Sequence, residues 1–100
     1  MGVAGALTEF RTPAEVGGAV VLYVTETCGY CRMAEALLRR RDIAFVAVDV
    51  TDLPEARAWL VEATGRRTVP QIFLKGASIG GYTDLAAMDR SGALARALGR

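Results

Sequence analysis

The 100-residue chain is 52% apolar and 23% charged, with twelve basic and eleven acidic residues giving a net charge of +1. A chain this long buries roughly two-thirds of its unfolded surface, which supports one domain with its own core and argues against disorder, and so balanced a charge supplies no field for nucleic acid or anionic lipid. His is absent and Cys occurs twice, which excludes a His base, a His-ligated metal and a four-thiolate zinc site within one chain, and leaves Cys, carboxylates, Tyr, Arg and backbone to carry any chemistry.

Residues 1–11 show no periodicity and read as a loose N-terminal tail ahead of a single domain over 12–100. The opening MGVAGAL lacks a basic flank and is soon interrupted by Thr8, Glu9 and Arg11, unlike a secretory signal. The longest apolar stretch, Gly17 to Val24, is too short to span a membrane. A reducing, cytoplasmic location with no membrane partner is the expectation.

Thr12-Pro13-Ala14-Glu15 predicts a helix start, with Thr at the N-cap, Pro at the first helical position and Glu at the third. Gly17-Gly18 ends that turn, and Ala19 to Val24 is an apolar, β-branched run suited to a strand covered on both faces. Cys28 to Arg41 reads as a helix with Met33, Ala34, Leu37 and Leu38 on its apolar stripe and Arg32, Glu35 and Arg39 on its wet side. The basic run Arg39-Arg40-Arg41 suits the end of that helix and its dipole rather than a nucleic-acid patch. Ile43 to Val48 predicts a second buried strand. Asp52 before Pro54-Glu55 predicts a capped helix to about Ala63, with Trp59 and Leu60 inward and Gly65 as its stop. Val69 to Leu74 then predicts a strand that Lys75-Gly76 turns into Ser78-Ile79. Gly80-Gly81 precedes a helical run from Tyr82, which Ser91-Gly92 breaks before a last turn through Leu94 and Leu98. Two strands joined by a helical crossover must be parallel and a terminal hairpin antiparallel, so the pattern is α/β: a mixed sheet with helices on both faces.

Cys28-Gly29-Tyr30-Cys31 sits where the first strand passes into a helix. In a chain of βαβ pattern this spacing reads as a redox motif. A sulfur at a helix N-terminus meets unpaired amides and the positive end of the dipole, which favour the nucleophilic thiolate, and Arg32 would add a cation nearby. Cys31, one turn inside, would be the more shielded, resolving thiol. The alternatives are a structural disulfide, for which so short a loop contributes only about 2 kcal/mol against about 3 for a 15-residue loop, and half of a metal site completed by a second chain.

Three motifs together, Cys28-Gly29-Tyr30-Cys31, Thr68-Val69-Pro70 and Gly80-Gly81-Tyr82-Thr83-Asp84, resemble the dithiol glutaredoxins over residues 18–99. The resemblance implies a thioredoxin-like fold, with a four-stranded mixed sheet flanked by helices on both faces, and glutathione as co-substrate. It implies that Cys28 is the nucleophile and Cys31 the resolving residue. It also implies that Pro70 is cis beside Cys28, and that Thr68 and Val69 border the ligand, Val69 offering it backbone groups as a strand would. Gly81, Tyr82 and Thr83 would hold the γ-glutamyl carboxylate on backbone amides, Asp84 would meet the ammonium, and Arg57 would meet the glycyl carboxylate. Tyr30 would wall the ligand. Each residue has a plainer use: Pro70 as a block at a sheet edge, Gly80-Gly81 as a turn, Thr83 and Asp84 as helix caps, Arg57 on a solvated face, Tyr30 as a shield over Cys28. Two departures stand out. Thr25 replaces the family's frequent Lys, leaving more of the anion binding to Arg57 and Arg67, and Gly29 replaces the commoner Pro.

The first expectation is therefore a glutathione-dependent oxidoreductase acting on glutathionylated or disulfide-bonded proteins as a monomer. The second follows from Gly29: some relatives with a small residue there hold a [2Fe–2S] cluster between two chains, with Cys28 of each and two glutathione thiolates as ligands. No metal is expected otherwise. A third reading, reduction by thioredoxin reductase instead of glutathione, is disfavoured by Gly80-Gly81 and Asp84.

Overall fold

In the computed structural model, which describes residues 6, 7 and 10–100, Thr12 builds the capping box expected of it. The Glu15 amide donates to Thr12 Oγ1 at 3.3 Å and the Thr12 amide to Glu15 Oε1 at 2.8 Å. This starts helix α1 (Pro13–Val16), and Gly17 ends it in the left-handed conformation, φ 79°. Strand β2 (Val20–Val24) follows and is buried along its whole length. Helix α2 (Gly29–Arg40) crosses over to β3 (Val46–Asp49), which lies parallel to β2 with Val21 opposite Val46 and Val24 opposite Asp49. Helix α3 (Pro54–Thr64) leads to β4 (Gln71–Leu74), antiparallel to β2, and β4 turns into β5 (Ala77–Gly80). Helices α4 (Tyr82–Ser91) and α5 (Ala93–Ala97) complete the chain, separated by Gly92 at φ 84°.

Alternation along β2 sends its side chains to two cores. Val20, Leu22 and Val24 pack with Cys31, Ala34, Leu38, Leu85 and Leu94, so α2, α4 and α5 cover one face. Val21 and Tyr23 pack with Val48, Leu60 and Phe73, so α3 covers the other. Arg41 locks α2 to α4 through a two-pronged bond to Asp89, at 3.0 and 2.9 Å. Among the described residues no helix is long and apolar enough to cross a membrane.

The four-stranded mixed sheet is present, and a fifth strand extends it. Ala6–Leu7 (β1) pairs in parallel with β3, Ala6 opposite Ala47, giving the order β1-β3-β2-β4-β5. The expected loose tail is therefore wrong where it is described, and residues 1–5, 8 and 9 lie outside the described residues. The reasons are physical: without β1, the outer edge of β3 would present unpaired backbone groups. Phe10 also sits 6.1 Å from the Tyr23 ring and 5.5 Å from Trp59, while the Tyr23 hydroxyl donates to the Arg11 carbonyl.

Three local expectations are corrected. The buried side of α2 runs through Cys31, Ala34, Leu37 and Leu38, which leaves Met33 46% exposed and buries Glu35 at 8%. At 100° per residue Met33 lies well off a face centred between Cys31 and Leu38, whereas Glu35 flanks it. Glu35 accordingly pairs with Arg32 at 3.3 Å, and Arg39 lies over the Phe45 ring. Asp52 does not cap α3; Leu53 holds that position with no side-chain bond. The pairing of β3 and β4 begins later than their apolar runs, at Val46 and Gln71, although Ile43, Phe45 and Pro70 are buried all the same.

Candidate active site

Cys28 is the N-cap of α2, extended at φ −98° and ψ 109°, and its sulfur accepts the Cys31 amide at 3.0 Å. The sequence folds this way because β2 must end before the helix can turn back over the sheet, and a short polar side chain at that junction takes an amide the helix cannot satisfy. The sulfur is half-buried, and on its other side the thiol donates to the Val69 carbonyl at 3.6 Å. The Val69–Pro70 bond is cis, as the resemblance implies.

Cys31 is fully buried one turn further on. Burial, reinforced by its hydrogen bond with Cys28, pushes its thiol up to about 12. It therefore holds its proton at neutral pH, and the two sulfurs differ as the motif requires: one reachable, one sequestered. Arg32 lies near enough to the cysteine pair for its charge to act on the Cys31 sulfur. Its guanidinium is held by the Thr25 carbonyl and Glu35, both at 3.3 Å.

Beside Cys28 lies a cleft of about 340 Å³ lined by Tyr30, Thr68, Val69, Pro70, Gly81, Tyr82, Thr83 and Asp84. Residues from α2, the segment before β4 and the start of α4 thus converge on one hollow. Tyr30, 59% exposed, stacks on Tyr82 with ring centroids 6.1 Å apart and forms one wall. Arg57 is not in this cleft. It projects from α3 into an adjoining hollow of about 460 Å³ with Arg67, and the two hollows share Arg66, Thr68 and Val69.

At the far end, Asp84 Oδ2 accepts the Gly81 amide at 2.9 Å and the Arg66 guanidinium at 3.3 Å. The amide bond, and secondarily Arg66, hold its carboxyl below the usual 3.8. Asp84 thus caps α4 and also lines the cleft. Gly80 is required beneath this pair: at φ +106° a Cβ would lie 2.2 Å from Asp84 Oδ2 and 2.9 Å from the Arg66 guanidinium.

Two residues escaped sequence reasoning. Gln71, 2% exposed in a strand of apolar residues, donates from Nε2 to the Arg66 carbonyl at 2.8 Å. Its Oε1 meets Thr64 Oγ1 at 2.8 Å, and Thr64 Oγ1 accepts the Arg66 amide at 3.1 Å. This network fixes the loop that delivers Arg66, Thr68 and Val69. A Gln in the apolar run Val69 to Leu74 is the signal that could have found it, because a buried amide requires partners. Arg66 itself carries no comparable signal.

The family model described as Glutaredoxin matches residues 20–79. The chain belongs to the glutaredoxin family. It is 40% identical over 75 residues to glutaredoxin 3 of Escherichia coli K12, covering 75% of this chain and 90% of that protein. The glutaredoxin of Pseudomonas aeruginosa is 41% identical over 75 residues, covering 75% and 89%. Among solved structures, the dithiolic glutaredoxin 2-C-Grx1 of Trypanosoma brucei brucei aligns with TM-score 0.78 and 35% identity, over 89% of this chain and 97% of that one. The buckwheat glutaredoxin–glutathione complex aligns with TM-score 0.77 and 28% identity, over 81% and 76%. The thioredoxin-like fold and the dithiol arrangement of Cys28 and Cys31 are those of glutaredoxins, and membership implies thiol–disulfide oxidoreductase activity.

Proposed function

We propose that this glutaredoxin reduces protein–glutathione mixed disulfides and protein disulfides, with glutathione as co-substrate. The observation that carries this reading is the cleft beside Cys28, which opens onto the start of α4, where helix-start amides, Asp84 and a stacked tyrosine wall suit a small zwitterionic peptide. The buckwheat relative, whose structure is a complex with glutathione, supports it.

The Cys28 thiolate attacks the glutathione sulfur of a mixed disulfide. A Cys28–glutathione disulfide forms, the original S–S bond breaks, and the protein thiolate leaves and takes up a proton. The Cys31 amide stays directed at the reacting sulfur throughout. A second glutathione thiolate then attacks the glutathione sulfur of the adduct, giving glutathione disulfide and returning Cys28. With a protein disulfide, Cys28 is joined to the client; Cys31 gives up its proton and attacks Cys28, closing the internal disulfide and releasing the client thiol. Two glutathiones then reduce that disulfide. Backbone groups of Val69 pair with the cysteinyl part of glutathione, and Arg57, in the adjoining hollow, takes the glycyl carboxylate.

A mixed-disulfide reduction assay tests this. Cys28→Ser abolishes glutathione-dependent turnover and Cys31→Ser retains it; equal loss in both contradicts the assigned roles. The second reading, a cluster bridging two chains, draws on Cys28 alone because Cys31 is buried, and a Cβ at Gly29 would meet nothing within 4 Å, so that surface is uncrowded. Anaerobic reconstitution with glutathione, iron and sulfide supports it by yielding a brown dimer and removes it by leaving a colourless monomer.

A further inference from the structure

We infer that Arg66 is a further ligand-binding residue, its guanidinium taking the α-carboxylate of the γ-glutamyl group while Asp84 takes the adjacent α-ammonium. The inference rests on the glutathione reading above and adds to it the residue that recognises one end of the ligand.

Arg66 is an exposed side chain on an anchored backbone. Its amide is bonded to Thr64 Oγ1 at 3.1 Å and its carbonyl to the buried Gln71 amide at 2.8 Å. These bonds fix where the side chain leaves the loop, so little backbone entropy is lost on binding. The guanidinium crosses above Gly80, where only a glycine fits, and meets Asp84 Oδ2 with one nitrogen at 3.3 Å. The Arg66 and Asp84 side chains are 51% and 42% exposed, so the pair is open to a ligand.

A cation and an anion held side by side complement a group that carries an anion and a cation side by side. A free α-amino-acid end is such a group: its carboxylate faces Arg66, its ammonium faces Asp84, and the four charges alternate. The amides at the start of α4 attract any carboxylate. The Arg66–Asp84 pair attracts one with an ammonium on the same carbon, which glutathione keeps because its first peptide bond runs through the γ-carboxyl. A planar fork also suits carboxylate geometry, and a lysine would supply only a point charge.

The test compares kcat/KM for the mixed disulfides of 2-mercaptoethanol with glutathione and with γ-aminobutyryl-cysteinyl-glycine, which lacks only the α-carboxylate. Wild type, Arg66→Ala and Arg66→Lys are assayed. Arg66→Ala is expected to lower kcat/KM for the glutathione substrate about fivefold, the scale of one partly exposed charge-assisted contact, through KM with kcat unchanged. With the des-carboxy substrate the loss is less than about twofold, and Arg66→Lys recovers part of the glutathione loss. Equal losses with both substrates would show that Arg66 acts through the fold and not on the carboxylate. No loss, or a gain on removing the guanidinium, would show a bridge that ignores or competes with the ligand; each overturns the inference. A wild type that turns over the cysteine mixed disulfide as well as the glutathione one would instead bring down the functional reading itself.

Discussion

Gly80→Ala isolates the corner on which the cleft is built. The backbone there sits at φ +106°, a region an L side chain enters at a cost of about 1–3 kcal/mol. The new Cβ would also lie 2.2 Å from Asp84 Oδ2 and 2.7 Å from its Cγ, so the carboxylate must swing away. That movement breaks the 2.9 Å bond from the Gly81 amide and the pair with Arg66. One lost cap bond costs about 1 kcal/mol, and the exposed ion pair adds little. The total is about 2–4 kcal/mol, measured by urea unfolding. The two contributions separate in a cycle with Asp84→Ala, in which no carboxylate remains to be displaced. Gly80→Ala should then cost about 1 kcal/mol less in the Asp84→Ala background than in wild type. A Gly80→Ala variant as stable as wild type would refute the backbone argument, and additive costs would refute the displacement of Asp84.

Two further predictions follow from the buried polar groups. Gln71→Leu leaves the Arg66 carbonyl without its partner, while the Thr64 hydroxyl keeps the Leu60 carbonyl, so urea unfolding should show a loss of about 1–3 kcal/mol, and KM for glutathione mixed disulfides should rise with kcat little changed. Stability should also fall in alkali. The Cys31 thiol is raised in the folded protein from an ordinary 9 to about 12; the stability it contributes is therefore complete below pH 9 and is lost as pH rises toward 12. Burial raises the Tyr23 hydroxyl as well, so denaturation by base continues beyond that window. Unfolding followed against pH should show the portion starting near pH 9 disappear in Cys31→Ala, and an unchanged profile would contradict the burial argument.

The elements were legible where one physical requirement decided them. The capping box at Thr12, the apolar run of β2, the glycine stops at Gly17, Gly65 and Gly92, and the turn at Lys75-Gly76 are each local, and each was readable. Strand β1 was not, because two residues carry no periodicity and their pairing depends on an open edge of β3 far along the chain. The rotation of α2 was misread for a related reason: Met33 fits an apolar stripe by composition, but the buried Cys31 sets which side faces the sheet. At the site, the contiguous motifs name Tyr30, Thr68 to Pro70 and Gly81 to Asp84, which the fold gathers in one cleft, and Cys28, whose sulfur meets the Val69 carbonyl at its side. Arg66 was passed over for Arg57 and Arg67 because its role comes from proximity to Asp84 across eighteen positions, which no local pattern records.

The difference between the two sulfurs is the centre of the account, and mapping where glutathione attaches tests it most directly. The reduced protein is mixed with a limiting amount of glutathione disulfide, quenched in acid at millisecond intervals, and digested for mass spectrometry. The account predicts a glutathionyl group on Cys28 that decays as the Cys28–Cys31 disulfide appears, and that persists in Cys31→Ser. Attachment first or equally at Cys31 would contradict it.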